Sequence, residues 1–235
     1  MAHANNLLLQ MLPASARRHL LNRCEPFDLE LSAELSVRGQ PLTHAHFPVK
    51  GFISLVIDVD NYPALEVGMV GRESMLGSEL VLGLSKAPWR SLVQGAGKSW
   101  RIRAEELRAE IASSPPLRQV MQTSLMIRLH QQTLASACER FHPVASRLAR
   151  WLLMSQDRAQ AGSFHVTQEF LALMLGVRRA GVTQAAVTFQ RAGLIAYHRG
   201  ELTILNRSGL QAQACSCYAI DLRLQQELCG QHKGK

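Results

Sequence analysis

Residues His165–Leu205 read HVTQEFLALMLGVRRAGVTQAAVTFQRAGLIAYHRGELTIL, a run dense in structural punctuation. Thr167 suits a helix N-cap, and Gln168 and Glu169 put polar and acidic groups in the first turn, where the helix dipole favours them. Phe170, Leu171, Leu173, Met174 and Leu175 supply the apolar side of a short helix. Gly176 ends it, because glycine takes the left-handed backbone that closes a helix. After the apolar plug Val177, a second helix is expected from Arg178 to Arg191, stopped by Gly193. Two short helices joined by a tight glycine turn make a helix-turn-helix.

The second helix separates its faces. Val182, Ala185, Ala186 and Phe189 recur at helical spacing and turn inward. Arg178, Arg179, Gly181, Thr183, Gln184 and Thr188 lie on the other side, with their donors mostly early in the helix. The N-terminal part of a recognition helix is where side chains meet base edges in the major groove. Arginine pairs with guanine O6 and N7 through two bonds, and glutamine does the same for adenine. Leu194–Tyr197 and Leu202–Leu205 then read as two strands around His198-Arg199-Gly200-Glu201, a β-hairpin wing. A plain helical hairpin with a solvated face is the alternative, but it does not account for cap, turn, polar face and wing together. The unit is a winged helix-turn-helix. Its candidate DNA contacts are Thr167, Gln168, Arg178, Arg179, Thr183, Gln184, Thr188 and Arg199.

Charge supports that reading. The chain of 235 residues carries a net charge of +8. Residues 1–140 hold 15 Lys/Arg against 13 Asp/Glu, whereas 141–235 hold 11 against 5. The basic excess therefore sits with the helix-turn-helix, where phosphate must be neutralised. No signal peptide and no apolar run of about 18 residues is apparent, so a cytoplasmic protein without a membrane partner is expected. The five cysteines (Cys24, Cys138, Cys215, Cys217 and Cys229) are odd in number and scattered. That argues against a disulfide framework. Cys215-Ser-Cys217 with Cys229 has metal-binding potential, but no other ligand spacing supports it. Reduced, partly buried thiols and no metal site are the expectation.

Working outward, residues 1–24 look helical and amphipathic, with Leu7, Leu8, Leu9, Met11 and Leu12 before Pro13. From Pro26 to Arg103 short apolar stretches alternate with turn residues, among them Pro48–Gly51, Asp60–Pro63 and Gly95–Gly97. That pattern suggests a sandwich or small barrel. Glu105–Ile111 makes a short helix before Pro115-Pro116. In the long helix that follows, Val120, Ile127, Leu134 and Phe141 fall seven residues apart and suit a partner helix. Met121, Leu125 and Leu129 lie on an adjacent face toward the barrel. Pro143 breaks the run, Val144–Met154 forms another helix, and Asp157–Ser163 is a polar connector. The tail Arg207–Leu228 is expected to be helical, opened by Ser208.

Barrel, long helix and basic winged helix-turn-helix, in that order, resemble the Crp/Fnr family of bacterial transcription regulators. The resemblance covers nearly the whole chain and is strongest over Val166–Leu205. Glu66–Glu73 with Gly77, and Arg147–Leu152, are further matching stretches. It implies an α+β fold with an N-terminal β-barrel of the jelly-roll (double-stranded β-helix) type. The expected parts are a sensory barrel over 1–115, a dimerisation helix over 116–142, a DNA-binding domain over 143–207 and a helical tail over 208–235. It further implies a homodimer on a near-palindromic duplex site, with half-sites one helical turn apart and RNA polymerase as a further partner. In the recognition helix, Arg179 fits the family's first base-reading arginine, whereas Ala180 and Gln184 stand where a glutamate and a later arginine are common. Cyclic-nucleotide binders of the family use a glycine-glutamate-leucine turn and an arginine-serine pair. Gly77, Glu79, Leu80, Arg90 and Ser91 are the corresponding candidates here. Ser78 is inserted in the turn and bulky Trp89 precedes the pair, so a degenerate effector pocket is expected, with another ligand or none.

Two rival classes remain. A cupin-like metal enzyme is suggested by Gly39 and His44-Ala-His46, but no acid follows in Phe47–Gly51. A ligand-sensing or scaffold dimer without DNA binding is the other, and the arginines and wing speak against it. No nucleophile motif or phosphate loop appears, so no enzyme is expected.

Overall fold

The structure, a computed structural model, describes residues 6–61 and 64–230, with backbone alone at 229–230. Two helices open it, α1 (Leu7–Gln10) and α2 (Ala14–Leu21). The helical region expected over 1–24 is thus split at Pro13, and residues 1–5 lie outside the described residues. Asn6 caps α1 through Leu9 N–H and is itself fully buried, its amide donating to the carbonyls of Pro48 and Ser74 at 2.9 Å each.

The expected barrel region is one antiparallel sheet. Its strands are β1 (Glu25–Leu29), β2 (Glu34–Ser36), β3 (His44–Ile57), β4 (Leu65–Val70) and β5 (Arg90–Arg103), ordered β1-β5-β3-β4 with β2 also on β5. Two expected turns are not turns. Pro48–Gly51 and Gly95–Gly97 lie inside β3 and β5, which run on as 14-residue strands paired along their length. The reason is local: the register shifts between Pro48 and Ile53, so the irregular residues become bulges that bend the pair. Glycine is required there. A Cβ at Gly51 (φ +85°) would stand 2.3 Å from the Gly95 carbonyl oxygen, and one at Gly97 would stand 2.0 Å from that of Lys50.

Helix α3 (Ala104–Ser113) leads into the long α4 (Pro115–Phe141). Ser114 caps α4, accepting from Leu117 N–H at 3.4 Å, and the two prolines take the first helical positions, where no donor is missed. One apolar core joins α1, α2 and α3 to the sheet and to Leu117, Val120 and Met121 of α4. A smaller one lies within the sheet around Ile53, Leu55, Val70 and Val93.

Helix α5 (Val144–Ala159) starts the C-terminal unit, followed by β6 (Ser163–His165), α6 (Gln168–Leu175), α7 (Arg179–Arg191), β7 (Ile195–His198) and β8 (Glu201–Ile204). Strand β6 was not expected: the connector's end pairs with β8, giving a three-stranded β6-β8-β7 sheet. The tail is two helices rather than one, α8 (Arg207–Gln213) and α9 (Ser216–Gly230). Asn206, not Ser208, caps the first, accepting from Gly209 N–H at 2.8 Å. Among the described residues no single helix is long and apolar enough to cross a membrane.

The largest core cluster spans α5 to α9 and takes in Phe52 and Met69 from the sheet. Trp151 is the hinge of that contact. Its ring meets Phe52 edge-on, centroids 6.3 Å apart, and its indole N–H donates to Glu66 Oε1 at 2.8 Å. A buried ion pair reinforces it, with Arg158 Nε of α5 at 2.9 Å from Glu73 Oε1.

Candidate nucleic-acid interface

Local chemistry builds the helix-turn-helix. Thr167 Oγ1 accepts from Phe170 N–H at 3.1 Å, and Gly176 closes α6 at φ +61°. The chain then bends by 115° between α6 and α7, within the range of DNA-reading helix pairs. Arg178 is the N-cap residue of α7, so that helix begins one residue later than expected. Val182, Ala185, Ala186 and Phe189 are buried, as their spacing requires.

On the outer face Arg178, Arg179, Gln184 and Thr188 are exposed, and so are Thr167 at the start of α6 and Arg199 on the wing. Neither Arg178, Arg179 nor Arg199 makes an ion pair among the described residues, so three guanidinium groups are presented to solvent. Arg199 (φ +49°) and Gly200 (φ +86°) form a two-residue turn between β7 and β8, the mirror-image turn that suits the twist of a hairpin. Gln168 and Thr183 sit differently. Both are half-buried, and Thr183 Oγ1 bonds Gln168 Oε1 at 2.7 Å, which braces α6 against α7. Thr188 turns its hydroxyl back to the Gln184 carbonyl at 2.9 Å.

Of the effector candidates, Glu79 and Leu80 lie in a 3-10 turn, Ser78–Leu82, opened by Gly77 at φ +91°, whereas Arg90 and Ser91 begin β5. Glu79, Leu80 and Ser91 are buried. Their partners are already within the chain: Arg90 Nε lies 3.5 Å from Glu34 Oε1, and Ser91 Oγ is 2.6 Å from Ser36 Oγ. Sequence reasoning missed Arg128 of α4. It is buried, donates from Nη2 to the Met75 carbonyl at 2.8 Å, and stands 5.7 Å from the Trp89 ring. Its Nε and Nη1 have no hydrogen-bond partner among the described residues. Burial lowers its pKa, against the opposing pull of Glu79 and Glu73.

The expected dimer stripe also divides. Val120 and Ile127 are each 2% exposed within one chain, Leu134 packs against buried cysteines, and Phe141 is 76% exposed. Val120 belongs to the core shared with the sheet and α1–α3, and Ile127 is covered by its own chain. The solvent face of α4 carries another stripe at alternating three- and four-residue steps: Gln119, Gln122, Met126, Leu129, Thr133 and Ser136. Leu129, expected to face the barrel, is 60% exposed, and Met126 is 52% exposed.

His44 and His46, the cupin-like pair, lie at the strand end as packing. His46 is buried edge-on against Phe27 at 5.0 Å, and burial pushes its pKa down to about 3. The described cysteines are free thiols, three of them buried. Cys215 and Cys217 meet Cys138 and His142, which are far away in sequence. Cys229 lies outside the residues whose side chains are described.

Residues 146–213 match the model of the Crp-like helix-turn-helix domain. No curated protein matches the sequence. Several solved structures share the fold. FixK2 from Bradyrhizobium japonicum is 13% identical with a TM-score of 0.68, over 82% of this chain and 98% of its own. A CRP/FNR-family transcriptional regulator from Thermus thermophilus is 19% identical at 0.66, over 81% and 98%. The c-di-GMP-responsive global regulator CLP of Xanthomonas campestris is 17% identical at 0.64, over 82% and 99%. The fold and its C-terminal unit define the class: a chain with a Crp-like helix-turn-helix domain behind an antiparallel sheet and a long helix. Residues 146–213 are thus a Crp-like helix-turn-helix domain, and the chain as a whole shares the fold of these Crp/Fnr-type structures.

Proposed function

We propose that two copies of this chain bind double-stranded DNA in a sequence-selective manner in the cytoplasm, each placing α7 in a major groove. The observation that carries this is the set of exposed guanidiniums of Arg178, Arg179 and Arg199, with no ion pair among the described residues, on one helix-turn-helix and its wing. Arg179 is the base reader. Arg178 and Arg199 neutralise phosphate, and Gln184 adds a base or phosphate contact. Thr167, Gln168, Thr183 and Thr188 set the pose of the two helices, with Thr167 close to the backbone. The two subunits meet along α4 through Met126 and Leu129, flanked by the expected contact Phe141. A dimer of that kind reads a near-palindromic site with half-sites one helical turn apart, and contact with RNA polymerase would follow on bound DNA.

The barrel is a degenerate effector domain. Arg90 is ion-paired with Glu34 and Ser91 is hydrogen-bonded to Ser36 within the chain, which supports a signal other than a cyclic nucleotide. The test is selection of binding sites from random duplexes by the full-length protein, followed by binding of the selected site across a salt series. A selected inverted repeat and a steep loss of affinity with salt are expected.

A further inference from the structure

Three thiols and an imidazole converge where the long helix joins the DNA-binding unit. Cys138 stands in the last turn of α4, and His142 is the residue that ends it. Cys215 lies in the break between α8 and α9, and Cys217 in the first turn of α9. Cys138 Sγ is 3.4 Å from Cys215 Sγ, and Cys217 Sγ is 3.6 Å from His142 Nδ1. One ligand atom from each of the four lies within 4.8 Å of the others, with the sulfurs buried and the imidazole half-buried.

We propose that Cys138, His142, Cys215 and Cys217 form a four-coordinate site for a thiophilic divalent cation such as zinc. Zinc takes Cys3His sets tetrahedrally, with bonds of about 2.3 Å to sulfur and about 2.0 Å to nitrogen. A tetrahedron with those bonds puts neighbouring ligand atoms roughly 3.5–3.8 Å apart. The two short separations already match that spacing to a few tenths of an ångström, so small side-chain movements complete the shell. The donor set is soft, with no carboxylate, which favours zinc over magnesium or calcium. Three thiolates around a dication leave one negative charge. Arg150 supplies the positive field there, acting on all three sulfurs, and its Nε has no hydrogen-bond partner among the described residues. Cys138 and Arg150 also line a surface cleft beside the cluster. Binding displaces the thiol protons into solvent. A Cys138–Cys215 disulfide is the competing use of the closest pair, but it leaves Cys217 and His142 without a role.

The position gives the site a consequence. A bound ion staples the end of α4 to α9 beside the joint with α5, and so favours one pose of the DNA-binding unit over others. This regulatory step rests on the DNA-binding reading above; the metal site does not.

The experiment uses the full-length protein, reduced, stripped by a chelator and reloaded. Zinc competition against a chromophoric chelator should give about one ion per chain. Cobalt in its place should give thiolate-to-metal charge transfer and tetrahedral ligand-field bands. Cadmium NMR on the unaltered chain should report three thiolate ligands, which needs no variant to fold. Cys138→Ser and Cys217→Ser should weaken zinc by about 100-fold or more, His142→Ala should shift the cobalt spectrum, and Cys24→Ser should change neither. Failure to retain zinc, retention undiminished in Cys217→Ser, or a Cys138–Cys215 disulfide formed without metal uptake would each overturn the site. In DNA-binding measurements, zinc should alter the affinity of the unaltered chain and not that of Cys217→Ser. Zinc uptake with no DNA binding in any form would support the site and overturn the DNA-binding reading instead.

Discussion

Trp151 donates its indole N–H to Glu66 Oε1 at 2.8 Å, and this bond ties the N-terminal sheet to α5, the first helix of the C-terminal unit. Ser54 donates to the other carboxylate oxygen. Burial outweighs both bonds and raises the Glu66 pKa to about 7 from the ordinary 4.5. The carboxyl therefore prefers its proton in the folded chain. Between those two values the folded state holds a proton that the unfolded state has lost, so stability falls as pH rises through that window. The loss between pH 5 and pH 8 should reach at most about 3 kcal/mol. Glu66→Gln should flatten the profile and stabilise the chain at pH 8, read by urea unfolding at several pH values. A profile that rises over the same window would contradict the assignment.

The Glu73–Arg158 pair lies beneath the same interface and is nearly inaccessible to water. Removing one partner strands the other charge. Arg158→Met should cost about 3–5 kcal/mol in urea unfolding, and adding Glu73→Leu should recover part of it. A loss below about 1 kcal/mol would mean that the pair behaves as a surface contact.

The inner and outer faces of α4 should separate stability from assembly. Leu129→Glu, on the solvent face, should produce a folded monomer by light scattering with an unchanged circular dichroism spectrum. Ile127→Ala, on the inner face, should keep the dimer and lower unfolding stability by about 2–4 kcal/mol. If Leu129→Glu stays dimeric, another surface forms the seam.

Neither cyclic AMP nor cyclic GMP should raise the melting temperature, because Arg90 is already ion-paired with Glu34 and Ser91 is bonded to Ser36. A rise that disappears in Arg90→Ala would restore the cyclic-nucleotide reading.

What was legible in the sequence is what local chemistry determines. Thr167, Gly176 and Gly193 act within a few residues of themselves, and α6, α7 and the wing follow from them. The two long strands were not legible, because Pro48, Gly51, Gly95 and Gly97 act as turn residues in isolation and as bulges only when β3 and β5 are paired. The heptad spacing of Val120 and Ile127 identified an apolar face without saying what covers it. Cys138 and Cys215 are 77 residues apart and are brought together only when α9 packs on α4. Cys215-Ser-Cys217 was visible as half of a ligand set. Its complement was a histidine at a helix end and a cysteine in a helix, neither with any spacing to mark it.

DNA affinity of the Arg179→Ala chain, measured by fluorescence anisotropy on the selected duplex and on random duplexes, tests the central claim most directly. The account predicts a loss of about 1–3 kcal/mol on the selected site with relaxed preference at one base pair, and a much smaller change on random DNA. Equal affinity of Arg179→Ala and the unaltered chain for the selected duplex would contradict it and leave a dimeric scaffold in its place.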